Sequence, residues 1–319
     1  MNVLIIRPDA IGDYILFRNC LRFVRLSTKY RHARITILGN PAWRNLAETF
    51  DSDYADEWLW QATPKNLFRS SSENLLPAAV WKPRVKARQA PIRQMIADRH
   101  FDEILIPQAF ANRLLETLAD GLSQKIIKGW EIDSGGEPFV FLRNRRITSA
   151  LTGEHCNVNL NLSLPDPPKR GNNIILFASA SHWTRQWPFY DALAQLITAQ
   201  TPYSVIVEGR PDTPKRTLSD FALHLATAKA VVSNDTMTLH LAAALGIPVI
   251  GITNGFSGKN DFWPYPSILD KQIEIISPRT ARHMNLAGPF GLALNQILDY
   301  RSICSIKPTL VFNRLKAVL

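Results

Sequence analysis

Cysteine is scarce in this sequence, with 3 among 319 residues, and Cys20, Cys156 and Cys304 are far apart in the chain. An odd, scattered set excludes a disulfide framework and the paired spacing of a zinc site, and it reads as buried thiols. Long hydrophobic runs are missing too. Only Val3 to Ile6 are apolar before Arg7, too few for a secretory leader, and no stretch approaches a membrane span. The expectation is a cytoplasmic protein. Acidic residues are outnumbered, 27 Asp and Glu against 37 Lys and Arg, for a formal charge of +10. An acidic partner is implied: nucleic acid, a nucleotide-linked substrate or an anionic membrane surface. Glycine is missing where a nicotinamide dehydrogenase would need it, because Arg7 to Asp13 contains Gly12 alone and no Gly-x-Gly-x-x-Gly turn.

What is present suits a globular protein of two domains, with 46% hydrophobic and 20% charged residues. Apolar runs alternate with helical patterns. Asn2 to Ile6 reads as strand and Tyr14 to Leu26 as helix, followed by strands at 35–38, 56–60, 103–106 and 125–128 and helices at 42–48, 92–99 and 113–118. A Pro-rich break at Leu164 to Asn173 precedes a second round: strand 174–177, helix 190–199, strand 204–207. Such alternation predicts parallel sheets with helices on both faces, in an acceptor domain over 1–165 and a donor domain over 166–319. Ligands in these folds sit beyond the carboxyl ends of the strands, and two such halves with opposed loops make a cleft.

The most informative stretch is Val231 to Gly251. Ser233, Asn234 and Asp235 are turn and N-cap residues, Leu239, Leu241, Ala242 and Leu245 recur at helical spacing, Gly246 and Pro248 stop the helix, and Val249 to Ile252 is the next strand. A helix starting near Thr236 presents the N–H groups of Thr236, Met237, Thr238 and Leu239, two hydroxyls and His240 to an anion. The bland alternative makes Asp235 an N-cap and His240 a helix-surface residue. In the loop after the first strand, Gly12 permits a tight turn, and Asp13 is either an N-cap or a general base, with Asp9 a second carboxylate. After strand 174–177, Ser179, Ser181, Thr184 and Arg185 precede Trp187-Pro188; Arg185 is a phosphate fork or a solvent-facing cation. Glu208 ends the next strand, where a carboxylate can bind ribose hydroxyls. Lys65, Arg69, Lys82, Arg84, Lys86, Arg88 and Arg93, with Glu73 as the only acid and Pro64, Pro77, Pro83 and Pro91 between them, read as a basic irregular insertion or a solvated loop. Asp51 and Asp53 form an Asp-x-Asp that reads as a solvated loop.

Asp-x-x-Gly-Asp after the first strand, Arg-x-Trp-Pro after the first strand of the second half, and Asn-Asp-Thr-x-x-x-His-x-Ala-Ala-Ala-Leu-Gly-x-Pro resemble glycosyltransferase family 9, the lipopolysaccharide heptosyltransferase family. The resemblance spans most of the chain, including Ser305 to Leu315, which looks like the family's closing helix. It implies a GT-B fold, two Rossmann-like domains facing a cleft, whose last helix can pack back on the first domain. It also implies inverting, metal-independent transfer from a nucleoside-diphosphate sugar, ADP-heptose foremost, to a lipopolysaccharide-core or other cell-surface glycan hydroxyl, without a cofactor. Asp13 matches the base. Arg185 matches a phosphate-binding basic residue, and Asp235, Thr236, Thr238, Leu239 and His240 match the diphosphate segment. Met237 stands where heptosyltransferases typically have Gly, and Asn254 to Pro266, with Lys259 and Asp261, resembles a loop of family members not established as heptosyltransferases. Gly12, Lys65, Arg69, Lys82 and Arg84 fall on the acceptor side, which fits a phosphorylated glycolipid at the inner membrane face rather than a nucleic acid. The alternatives are a nucleotide-sugar epimerase of the same architecture and a non-catalytic binder of nucleotides or anionic polymers.

Overall fold

A computed structural model describes residues 1–60, 78–109, 113–133, 139–254, 273–276 and 288–319. The chain divides into two compact units, Met1–Asn159 and Leu160–Leu319. The division comes a few residues before the break expected at 165/166, because the Leu162 N–H donates to the Ala244 carbonyl, 2.7 Å away in the second unit.

The first unit holds strands β1 (Asn2–Arg7), β2 (Arg34–Gly39), β3 (Glu57–Trp60), β4 (Glu103–Ile106) and β5 (Ile126–Lys128), in the order β3-β2-β1-β4-β5. All are parallel, with Asn2 opposite Arg34 and Val3 opposite Glu103. β1 is central, and its residues Val3 to Ile6 are at most 1% exposed, as a strand covered on both faces requires. Around the sheet lie α1 (Ile11–Leu26), α2 (Arg44–Phe50), α3 (Ala78–Ala97), α4 (Arg113–Ala119), α5 (Gly129–Ile132) and α6 (Val140–Thr152).

α3 corrects an expectation, since the basic stretch from 78 onward is a helix and not an irregular insertion. Val85, Gln89, Ile92 and Ile96 are buried at helical spacing, while Pro83 and Pro91 are exposed. Each proline removes one helical N–H, but on the solvent side the carbonyls left over can turn to water. Arg93 is not a surface cation. It donates to the carbonyls of Thr117 (2.7 Å), Leu118 (3.0 Å) and Asp120 (2.7 Å), closing the C-terminal end of α4. α6 has no counterpart in the expected elements, because Arg143, Asn144, Arg145 and Arg146 mask the buried spacing of Val140, Phe141, Ile147 and Leu151. Arg143 and Arg146 both pair with Asp133.

The second unit holds β6 (Asn173–Phe177), β7 (Ser204–Glu208), β8 (Ala230–Asn234), β9 (Val249–Ile252) and β10 (Ile273–Ile276), ordered β10-β9-β8-β6-β7 and again wholly parallel. Its helices are α7 (Tyr190–Gln200), α8 (Leu218–Ala226), α9 (Met237–Ala244), α10 (Gly288–Cys304) and α11 (Pro308–Val318). The closing helix α11 buries Val311, Phe312 and Leu315 in the core of this unit, with Leu193 and Ile197 of α7 and Ile250 of β9. No described helix is long and apolar enough to cross a membrane.

Cys20 and Cys156, remote in sequence, are buried free thiols in mutual hydrogen-bond contact, while Cys304 is half-buried. Asp51, read as part of a solvated loop, is fully buried: it accepts from Tyr14 Oη (2.6 Å) and Arg18 Nε (3.0 Å) and forms an ion pair with Arg18. Removing one partner of such a pair strands the other charge. Asp51→Ala is expected to cost roughly 3–5 kcal/mol in urea unfolding, and Arg18→Met/Asp51→Leu less than either single change. A single variant within about 1 kcal/mol of wild type would show that the pair does not hold α1 in place.

Candidate active site

Each sheet has one place where neighbouring strands send their connections to opposite faces. In the second unit it lies between β6 and β8, and the connections leaving their carboxyl ends part to opposite faces. The β6 loop carries Arg185 on a single 3-10 turn, Trp183–Arg185, and β8 leads straight into α9. Arg185 Nη1 lies 3.7 Å from Asp235 Oδ2. Two residues distant in sequence therefore meet at the amino end of one helix.

That helix end is built locally. Thr236 is the N-cap, its hydroxyl accepting from the Thr238 N–H at 3.4 Å and lying 3.1 Å from Ser233 Oγ. Asp235 is therefore not the cap, and Ser233 and Asn234 belong to β8, not to a turn. The Leu239 N–H turns to the Thr236 carbonyl (3.2 Å), which leaves the N–H groups of Thr236 and Met237 without a partner among the described residues. These two, with the helix dipole, offer an anion roughly 1–2 kcal/mol beyond what Arg185 contributes. The other end closes as expected: Gly246 has φ +64, its N–H donates to Ala243 and that of Ile247 to Ala242, a Schellman motif.

Met237 occupies the first helical position with its backbone in an ordinary region; the described glycines at positive φ are Gly121, Gly153, Gly209 and Gly246. A side chain at 237 therefore costs no backbone strain. It changes only the room beside the N–H groups. Thr238 and Leu239 are fully buried, so their side chains face the core and only their backbone belongs to the helix end. His240 is 6% exposed and not a surface residue, and burial drives its pKa down to about 4 against the pull of Asp235. The ring is neutral at physiological pH and can act there only as a neutral donor or acceptor. Glu208 is buried at the end of β7, with Oε1 taken by Arg216 Nη1 (2.8 Å) and facing His224 Nε2 (3.0 Å). A ribose would find Glu208 already partnered on one oxygen.

In the first unit the corresponding point lies between β1 and β4. Asp9, after β1, is held by Arg7 Nε (2.6 Å) and by Gln108 from the β4 loop, and its carbonyl accepts from Asn40 Nδ2 (3.0 Å) and Trp43 Nε1 (3.1 Å). Burial pushes its carboxyl up, against the opposing pull of Arg7 and Gln108. Asp9 is thus a fastening of the loop. Ala10, not Asp13, is the N-cap of α1, and Gly12 lies inside the first helical turn rather than in a tight turn. Asp13, half-buried in the same turn, is the acidic residue at this helix end. Of the acceptor-side cations, Arg84 is exposed on α3, Lys82 has a described position in α3 but no described side chain, and Lys65 and Arg69 lie outside the described residues, as do Lys259 and Asp261.

Two wholly parallel α/β units in one chain, with a helix starting at the second sheet's switch point, are those of a GT-B fold. Residues 168–266, which contain the Arg185 loop and α9, match the model of glycosyltransferase family 9 (heptosyltransferase). The protein is a glycosyltransferase, and the resemblance carried by its motifs holds over that segment. Similar folds include the E. coli heptosyltransferase WaaC with ADP-2-deoxy-2-fluoro heptose, at TM-score 0.69 and 15% identity over 100% of both chains. A glycosyl transferase family 9 protein from Veillonella parvula follows at TM-score 0.64 and 13% identity, over 99% of this chain and 96% of that one. E. coli ADP-heptose lps heptosyltransferase II gives 0.60 and 15%, over 100% and 98%. No curated protein matches the chain by sequence.

The buried His240 makes a prediction about pH. An exposed imidazole charges near 6.5 while the folded ring stays neutral to about 4, so the fold carries no penalty above 6.5 and a growing one below it. Wild type is expected to lose roughly 3 kcal/mol more than His240→Gln between pH 6.5 and 4 in parallel urea titrations. Equal losses would place the ring in contact with solvent.

Proposed function

We propose that this protein transfers a sugar, with inversion and without a metal, from a nucleoside-diphosphate sugar to a hydroxyl of a lipopolysaccharide-core or other cell-surface glycan, and that ADP-heptose is the donor. The observation that carries the reading is the meeting of Arg185 and Asp235 beside the N–H groups of Thr236 and Met237, inside the segment that matches family 9. The names of two similar structures, WaaC with an ADP-heptose analogue and ADP-heptose lps heptosyltransferase II, point to the same donor and acceptor classes.

The chemistry follows from charge. The carboxylate of Asp13 takes the proton from the acceptor hydroxyl as its oxygen attacks the anomeric carbon. The bond from that carbon to the β-phosphate oxygen breaks on the opposite face, so configuration inverts and negative charge gathers on the departing diphosphate. Arg185 and the two N–H groups meet that charge with donors already in place. Neutral His240 supplies at most an uncharged hydrogen bond. The exposed cations of α3, Arg84 and Lys86, suit phosphates on the acceptor or an anionic membrane surface on which a glycolipid acceptor lies.

Asp13→Ala is expected to lower turnover about 10²–10⁴-fold while nucleotide affinity survives. Arg185→Ala is expected to weaken nucleotide binding first. Steady-state kinetics with ADP-heptose and calorimetry with ADP separate the two: unimpaired turnover in the first variant removes Asp13 from the reaction, and unchanged affinity in the second removes Arg185 from the phosphates.

A further inference from the structure

We propose that Asn234 is a positioning residue that holds Arg185 at the diphosphate site; the inference rests on the donor-site reading above. Asn234 is the last residue of β8 and is fully buried. Its carboxamide reaches across to the neighbouring β6 loop and binds both ends of it. Oδ1 accepts from the Trp187 N–H at 3.0 Å, and Nδ2 donates to the Ser179 carbonyl at 3.0 Å. Only one orientation of the amide satisfies both groups, so the contact specifies loop geometry as well as loop location.

The segment tied between these two points carries Arg185. Thr184, its neighbour, is fastened in turn: the Asn254 Nδ2 at the end of β9 donates to the Thr184 carbonyl at 3.4 Å. Trp187 is anchored from its other side by Nε1 donating to the Ile306 carbonyl at 2.9 Å. The guanidinium of Arg185 then ends beside Asp235, the residue that follows Asn234 in the chain. One residue thus sets both partners: its backbone leads β8 into Asp235 and α9, and its side chain places the loop that delivers Arg185. An arginine fork discriminates by geometry, so a loop free to shift by an ångström forfeits much of the binding. Without the carboxamide, the buried N–H of Trp187 and the half-buried carbonyl of Ser179 lose their partner, and the loop has to move to satisfy them.

The test is a double-mutant cycle on the full-length protein. Calorimetry with ADP, UDP and GDP is run on wild type, Asn234→Ala, Arg185→Ala and the double variant, with hydrogen exchange of the peptide spanning 179–187 measured alongside. Asn234→Ala is expected to weaken nucleoside-diphosphate binding about tenfold, to speed exchange in that peptide, and to add nothing in the Arg185→Ala background. Wild-type affinity in Asn234→Ala, or a loss that simply adds to that of Arg185→Ala, overturns the role. Should Asn234→Ala fail to fold, the isosteric Asn234→Asp keeps Oδ1 but loses the donor to Ser179, and the same cycle applies to it. No binding of any of the three nucleotides by wild type overturns the donor-site reading, and with it the assignment to Asn234. Faster exchange at 179–187 would in that case leave the loop anchor standing as structure alone.

Discussion

A parallel sheet sends the carboxyl ends of all its strands to one edge, and with them the amino ends of the helices that follow. That constraint organises each unit of this protein. A helix that follows directly on a strand brings unpaired N–H groups to that edge, and where adjacent strands connect to opposite faces the loops part. In the second unit the gap lies between β6 and β8, so the chain can build one site from the Trp183–Arg185 turn and the amino end of α9. The first unit repeats the arrangement between β1 and β4, with Asp9 and Gln108 joined across it.

What fills the two gaps differs in kind. Asp9, Asp51 and Asp133 are each neutralised by buried arginines, Arg7, Arg18 and Arg143, and Arg146 joins Arg143 on Asp133. These pairs fasten loops and helices of the first unit, since a carboxylate removed from water must meet a partner. Asp13 stands in the first turn of α1, at the same edge of the sheet. In the second unit two amides reach the loop that carries Arg185. Asn234 and Asn254 hold the β6 loop by uncharged hydrogen bonds to its backbone.

Much of this was legible in the residues. Nine of the strands follow from short apolar runs bounded by turn residues, because burial on both faces of a parallel sheet demands continuous hydrophobicity. Gly246 and Pro248 announce the end of α9, since a left-handed residue and a missing N–H have few other uses there. The misreadings share a cause. Pro83 and Pro91 suggested an irregular insertion in what is the first part of α3, because one-dimensional pattern does not tell which side of a helix a proline faces. Arg143 to Arg146 concealed α6, and Asp51 passed for a solvated residue, because a charged side chain carries no mark in sequence of the buried partner that will neutralise it.

The sequence by itself determined the alternation of strand and helix, the division into two α/β units, and the helix start near Thr236, all of which depend on local propensity and periodicity. Only the tertiary structure decided that Thr236 and not Asp235 caps α9, that His240 is buried and neutral, that Glu208 is partnered by Arg216 and His224, and that Asn234 ties down the loop bearing Arg185. The Asn234 contacts join residues 47 and 55 positions apart in the chain. Their energy comes from burial and from hydrogen bonds whose partners meet only after the sheet has brought them to one edge.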